Sequence, residues 1–161
     1  MRLKMKNEIG EIYRGVMGKP LYRPVFLVRV QAGFPSPAED YIEGRIDFSR
    51  DLIKHPLSTF YIRVIGDSME PLIHVNSLIV VDSVEEAQSG DVVVACVNSE
   101  MCVKELSKGD DGRIWLLSKN DRYPPIEIRG DDSFEVWGTV IHVIHPLKGK
   151  DKVTWNHREI E

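Results

Sequence analysis

Ser68, in the stretch Gly66-Asp67-Ser68-Met69, and Lys104, in Met101-Cys102-Val103-Lys104, are two side chains whose chemistry could together open an acyl bond. One supplies a hydroxyl and the other an amine able to take its proton. The pair points to a peptide-bond hydrolase that works without a catalytic histidine. Ser68 follows the strand-like run Phe60-Tyr61-Ile62-Arg63-Val64-Ile65 and a Gly-Asp turn signal, which predicts its hydroxyl at an exposed corner where a carbonyl can reach it. Lys104 lies inside the apolar run Met101, Cys102, Val103 and Leu106. That setting predicts a poorly hydrated site favouring the neutral amine a general base must be. A serine in a turn and a lysine on a strand are ordinarily surface residues with their heads in water, so the surrounding chain has to carry the argument.

The elements that must position these residues read as mostly β. From Phe60 onward the strand signals are Phe60 to Ile65, Ser77 to Asp82, Asp91 to Val97, Met101 to Leu106, Arg113 to Ser118 and Phe134 to Ile144, separated by turns containing Gly or Asn. This predicts a mostly antiparallel β body. Ahead of it, Ser36-Pro37-Ala38-Glu39 reads as a capping box with proline at the first helical position, predicting a short helix from about Pro37 to Ile46. A second helical turn through Leu52 and Ile53 would end at His55-Pro56. Val25 to Val30 is apolar and β-branched, as expected of an extended segment able to lie in a cleft like a substrate strand. Before Pro24, Gly10, Gly15, Gly18 and Pro20 break any long helix, so a helix-turn-helix domain is not expected there.

A chain of 161 residues is long enough for one domain with a sizeable core and an arm or tail. Its apolar runs stop well short of the roughly 20 residues that cross a bilayer. The basic start Met1 to Lys6 leads into Asn-Glu-Ile-Gly-Glu and not into an apolar signal core, so a cytoplasmic protein is expected. Cys96 and Cys102 flank the Asn98-Ser99-Glu100 turn at a spacing that fits no zinc or redox motif, and read as small strand or core residues. His142 and His145, three apart on a strand, fall on opposite faces with no third ligand nearby, so a structural role is expected and no metal. Seven basic residues against two acidic ones give the first 32 positions a formal charge of +5, which leaves −9 for the rest of a chain whose total is −4. The basic residues are scattered among apolar ones, which favours an arm held against an acidic body over direct DNA binding.

Several separated motifs give the chain a family resemblance. They are Val30-Gln31-Ala32-Gly33-Phe34-Pro35-Ser36-Pro37, Asp40-Tyr41, Arg45-Ile46-Asp47, Leu52-Ile53, His55-Pro56, Gly66-Asp67-Ser68-Met69, Leu78 to Ser83, Gly90-Asp91, Val103-Lys104 and Val140-Ile141-His142-Val143. Over about Pro24 to Pro146 the chain resembles the LexA/UmuD-type self-cleaving serine peptidases of the S24 family. The resemblance implies that Ser68 is the nucleophile and Lys104 the general base. It also implies that the backbone N–H groups of Ser68 and Met69 hold the oxyanion and that the bond cut is Ala32-Gly33. Glycine at position 33 fits, since without a Cβ it lets the backbone approach the nucleophile closely. The implied fold is a peptidase core of antiparallel strands with a short helix ahead of it and an extended N-terminal arm. The implied organisation is a cleavable basic arm over 1–32 and a core over 33–147; residues 148–161 are polar, resemble nothing in the family and read as a tail with Trp155 as a candidate anchor. Implied partners are a second copy in a homodimer, RecA filaments on single-stranded DNA that promote cleavage, and a UmuC-type DNA polymerase subunit, with no cofactor. Two departures stand out: some members carry Cys-Gly at the cut bond, and Glu70-Pro71 after the serine turn is closer to the wider peptidase group. Other readings are a non-enzymatic interaction module with a vestigial Ser-Lys pair and a cleavable repressor using the basic arm on DNA, the latter disfavoured by the missing helix-turn-helix.

Overall fold

The computed structural model describes residues 9–14, 23–26 and 42–147, with side chains from Arg45 onward. These form ten strands and one helical turn: β1 (Ile9–Arg14), β2 (Arg23–Phe26), β3 (Ile42–Ile46), α1 (Phe48–Asp51), β4 (Thr59–Val64), β5 (Leu78–Asp82), β6 (Val92–Val97), β7 (Glu100–Lys108), β8 (Ile114–Leu117), β9 (Ile126–Ile128) and β10 (Phe134–Ile144). The chain divides into two compact units, one running Val16–Pro56 and the other joining β1 to everything from Leu57 onward.

In the larger unit, eight strands build one sheet in the order β1-β4-β5-β10-β6-β7-β8-β9, and every pairing is antiparallel. The mostly β fold expected from the sequence is therefore the fold found. The six expected strands appear as β4 to β8 and β10. Two short strands went unread: β1, in a stretch punctuated by glycines, and β9, which follows directly on Pro124-Pro125. β1 lies on the outer edge of β4, with Ile9 opposite Val64 and Arg14 opposite Phe60.

β-Branched residues make up half or more of β4, β5 and β6, and both faces of the inner strands are buried: Val93, Val94 and Ala95 are all at 0% exposure. Two apolar clusters result. Ile62, Val64, Met69, Ile73, Ile79, Val81, Val94 and Val103 form one, and Val93, Ala95, Val97, Cys102, Leu106 and Leu116 the other. Cys102 faces Ala95 across the β6–β7 ladder while Cys96 faces Met101, one position out of step, so the two free cysteines project from opposite faces.

The smaller unit corrects one expectation. Residues 42–46, placed at the end of a helix from about Pro37 to Ile46, are strand β3, paired with β2 from Arg23↔Ile46 to Phe26↔Ile42. Ile42-Glu43-Gly44-Arg45-Ile46 carries a mid-segment glycine, a poor helix former, and β2 offers the segment a ladder to pair with. The helical turn begins later, where the Asp47 side chain caps it by accepting a 3.0 Å bond from the Ser49 amide. The expected helix start at Ser36 to Tyr41, the Ala32-Gly33 bond and the tail over 148–161 with Trp155 all lie outside the described residues.

Candidate active site

Ser68 sits in the connection between β4 and β5, a segment knitted to its own flanks. The Val64 amide donates to the Ser77 carbonyl at 2.9 Å and the Asn76 amide to the Val64 carbonyl at 2.8 Å. Asn76 takes φ 67°, a left-handed conformation that asparagine tolerates, to turn the chain back into β5. Within the connection the Glu70 amide bonds the Asp67 carbonyl at 3.2 Å, making a tight turn over 67–70, and the Ile73 amide bonds the Met69 carbonyl at 2.9 Å. Met69 and Ile73, each 1% exposed, drive this turn into the first apolar cluster. Ser68 is dragged in with them and is itself 1% exposed. The exposed corner expected for its hydroxyl is thus a buried one. The turn signal was read correctly, but the apolar side chains following it decide its depth.

Lys104 comes from β7, where it lies opposite Val93 on β6. It is 3% exposed, in line with its apolar sequence context. Its Nζ is 2.6 Å from Ser68 Oγ and 3.2 Å from the Val103 carbonyl oxygen. The two side chains singled out from sequence, on elements with three strands between them in sheet order (β5, β10 and β6), therefore meet in a buried hydrogen bond. The hydroxyl is held against an amine in a site that excludes bulk water, the arrangement in which a proton can pass between them.

The segment after β8 closes over the serine turn, and nothing in the sequence reading assigned it a role. The amides of Lys119 and Asn120 both donate to the Ser68 carbonyl at 3.0 Å. Asn120 Nδ2 donates to the Asp67 carbonyl at 3.0 Å, while Asn120 Oδ1 accepts from the Arg122 amide at 3.1 Å. Asp67 receives the Tyr123 hydroxyl on Oδ1 and Arg122 Nη2 on Oδ2, the latter at 2.6 Å. The Tyr123 hydroxyl above all, and with it the Arg122 guanidinium, holds the Asp67 carboxyl below the usual carboxylate range. Lys119 pairs with Glu105, the neighbour of Lys104 on β7. The available signal was the polar run Ser118 to Tyr123 after an apolar strand, which marks a loop but not its destination.

Of the histidines, His145 packs on His74 with ring centroids 4.5 Å apart, and its Nδ1 is 3.3 Å from Ser77 Oγ. Among the described residues no helix is long and apolar enough to cross a membrane.

The sequence profile of the family described as Peptidase S24-like matches residues 24–141. Protein SamA of Salmonella typhimurium is 39% identical over 129 residues, covering 80% of this chain and 89% of that protein. Protein MucA of Escherichia coli is 38% identical over 128 residues, 77% of this chain and 86% of that protein. The LexA repressor of Xylella fastidiosa is 35% identical over 147 residues, 91% of this chain and 69% of that protein.

Proposed function

The chain belongs to the S24-like peptidase family, and from that premise we propose that it is a serine peptidase that cuts its own Ala32-Gly33 bond, with Ser68 as nucleophile and Lys104 as general base. The observation that carries the reading is the 2.6 Å contact between Lys104 Nζ and Ser68 Oγ at a site where both residues are buried.

Neutral Lys104 takes the hydroxyl proton as Oγ attacks the Ala32 carbonyl carbon, and the backbone N–H groups of Ser68 and Met69 receive the developing oxyanion. Collapse of the tetrahedral species breaks the Ala32–Gly33 C–N bond while Lys104 passes its proton to the leaving Gly33 amine. Water, deprotonated by Lys104, then attacks the Ser68 ester. The proton returns to Oγ, and an Ala32 carboxylate leaves. Because nucleophile and scissile bond belong to one chain or one dimer, the rate depends on how often the arm docks productively. RecA filaments on single-stranded DNA promote that docking in the cytoplasm, and the processed homodimer serves as accessory subunit to a UmuC-type translesion polymerase during the SOS response.

Incubation with activated RecA followed by intact mass measurement tests this. Two fragments are expected, residues 1–32 and a body of 129 residues beginning at Gly33, absent in Ser68→Ala. A cut elsewhere, or none under RecA activation or at alkaline pH, removes the self-processing reading.

A further inference from the structure

The loop after β8 does more than cover the nucleophile. A peptide unit is planar, and in its trans form the carbonyl and the following N–H point in opposite directions. Among the described residues the one cis bond is Glu70-Pro71, so the units joining Asp67 to Ser68 and Ser68 to Met69 are both trans. Fixing the Asp67 carbonyl therefore aims the Ser68 N–H, and fixing the Ser68 carbonyl aims the Met69 N–H. Both carbonyls are held by the same short segment: Asp67 by Asn120 Nδ2 at 3.0 Å, alongside the Glu70 amide of its own turn at 3.2 Å, and Ser68 by the Lys119 and Asn120 amides at 3.0 Å each.

We propose that Asn120 is a positioning residue that orients the two backbone N–H groups receiving the oxyanion, by turning the Asp67 and Ser68 carbonyls toward itself and the N–H groups away. This rests on the peptidase reading and names a residue that reading does not contain. Asn120 suits the task because its amide both donates and accepts. Nδ2 holds the Asp67 carbonyl while Oδ1 takes the Arg122 amide at 3.1 Å and Arg122 Nε at 3.4 Å, which fixes the orientation of the amide. Arg122 in turn reaches the Asp67 carboxylate at 2.6 Å, so the loop grips one residue by main chain and side chain together. The segment's far side is tied to β7 by the Lys119–Glu105 pair. Oxyanion donors contribute most when they need no reorganisation during reaction, so their aim matters as much as their presence.

The test separates a role in oxyanion stabilisation from a merely structural one. Asn120→Ala and Asn120→Asp are compared with wild type in the full chain for two reactions at Ser68: self-cleavage, and phosphonylation by a fluorophosphonate, which also builds negative charge on oxygen. In a Ser68→Cys background the same changes are compared for alkylation of Cys by iodoacetamide, a displacement that forms no oxyanion, with mass mapping to separate it from Cys96 and Cys102. Self-cleavage and phosphonylation should fall by about 10- to 100-fold, less than the loss of a whole oxyanion donor, while alkylation stays within about twofold. Asn120→Asp keeps the acceptor for Arg122 and guards against an Ala variant that fails to fold. Equal losses in all three reactions, or unchanged phosphonylation, would overturn the inference alone. A wild-type chain that neither cleaves nor labels at Ser68 would overturn the peptidase reading and the inference with it.

Discussion

At the residue scale, the proposed chemistry treats Ser68 and Lys104 as one unit. Ser68→Ala and Lys104→Ala should each abolish self-cleavage, and the double variant should be little worse than either, since effects within such a unit do not add. Fragment yield by mass spectrometry reads this. Asp67 gives the serine turn a pH dependence of its own. Because its carboxyl is held down in the folded chain, the stabilisation it supplies is present above its unfolded titration range and is lost as pH falls through the folded one. Acid therefore loosens the serine turn, and neutral pH leaves it tied. Tyr123→Phe removes the principal cause, so the Asp67 carboxyl carbon should titrate at higher pH in that variant by NMR; an unmoved midpoint would assign the shift to Arg122.

At the scale of elements, Ser68 and Lys104 are brought together by strands whose turns are not all relaxed. β6 and β7 are joined by Asn98 and Ser99, both with positive φ at 51° and 68°, the two-residue hairpin geometry that favours Asn followed by Gly. Serine in the left-handed region is strained, so Ser99→Gly should stabilise the chain by about 1 kcal/mol, read as a raised urea midpoint. β10 shows the reverse case. It is the longest strand, it pairs with both β5 and β6, and its register shifts between Val136 and Gly138 on the β6 side. A Cβ at Gly138 would lie 2.8 Å from the Asp82 carbonyl oxygen and from Val81 Cγ1. Gly138→Ala should accordingly cost about 1–3 kcal/mol of folding stability, and a midpoint equal to wild type would show that β5 can give way there.

For the whole molecule, the proposed cut has a topological consequence. Residues 1–32 contain both β1 and β2, whose partners β4 and β3 lie beyond the cut. After cleavage those two ladders would join separate chains, one of formal charge +5 and the other −9, held without a covalent link. Association would then carry the entropy cost of a bimolecular contact, and the attraction of opposite charges is screened by salt. The arm fragment should therefore leave the body on gel filtration more completely at high ionic strength. Backbone amides of β4 that face β1 should gain hydrogen exchange at the same time. Co-elution at all salt concentrations with full β4 protection would mean that the cut leaves the sheet edge covered.

The sequence by itself determined the β character and the boundaries of most strands, because alternation of β-branched residues and Gly or Asn turns are local signals. It also singled out, by type and by motif, the two side chains that meet at 2.6 Å, Ser68 and Lys104. Tertiary structure decided what depends on distant partners. Ile42–Ile46 became a strand because β2 was there to pair with it, and β9 because β8 was. Ser68 became buried because Met69 and Ile73 had a core to enter. The loop from Ser118 to Tyr123 offered only polarity to a reader of sequence. Its hold on Asp67 and Ser68 joins residues some fifty positions apart, and no local pattern encodes which carbonyl a loop amide will find once the sheet has brought them together.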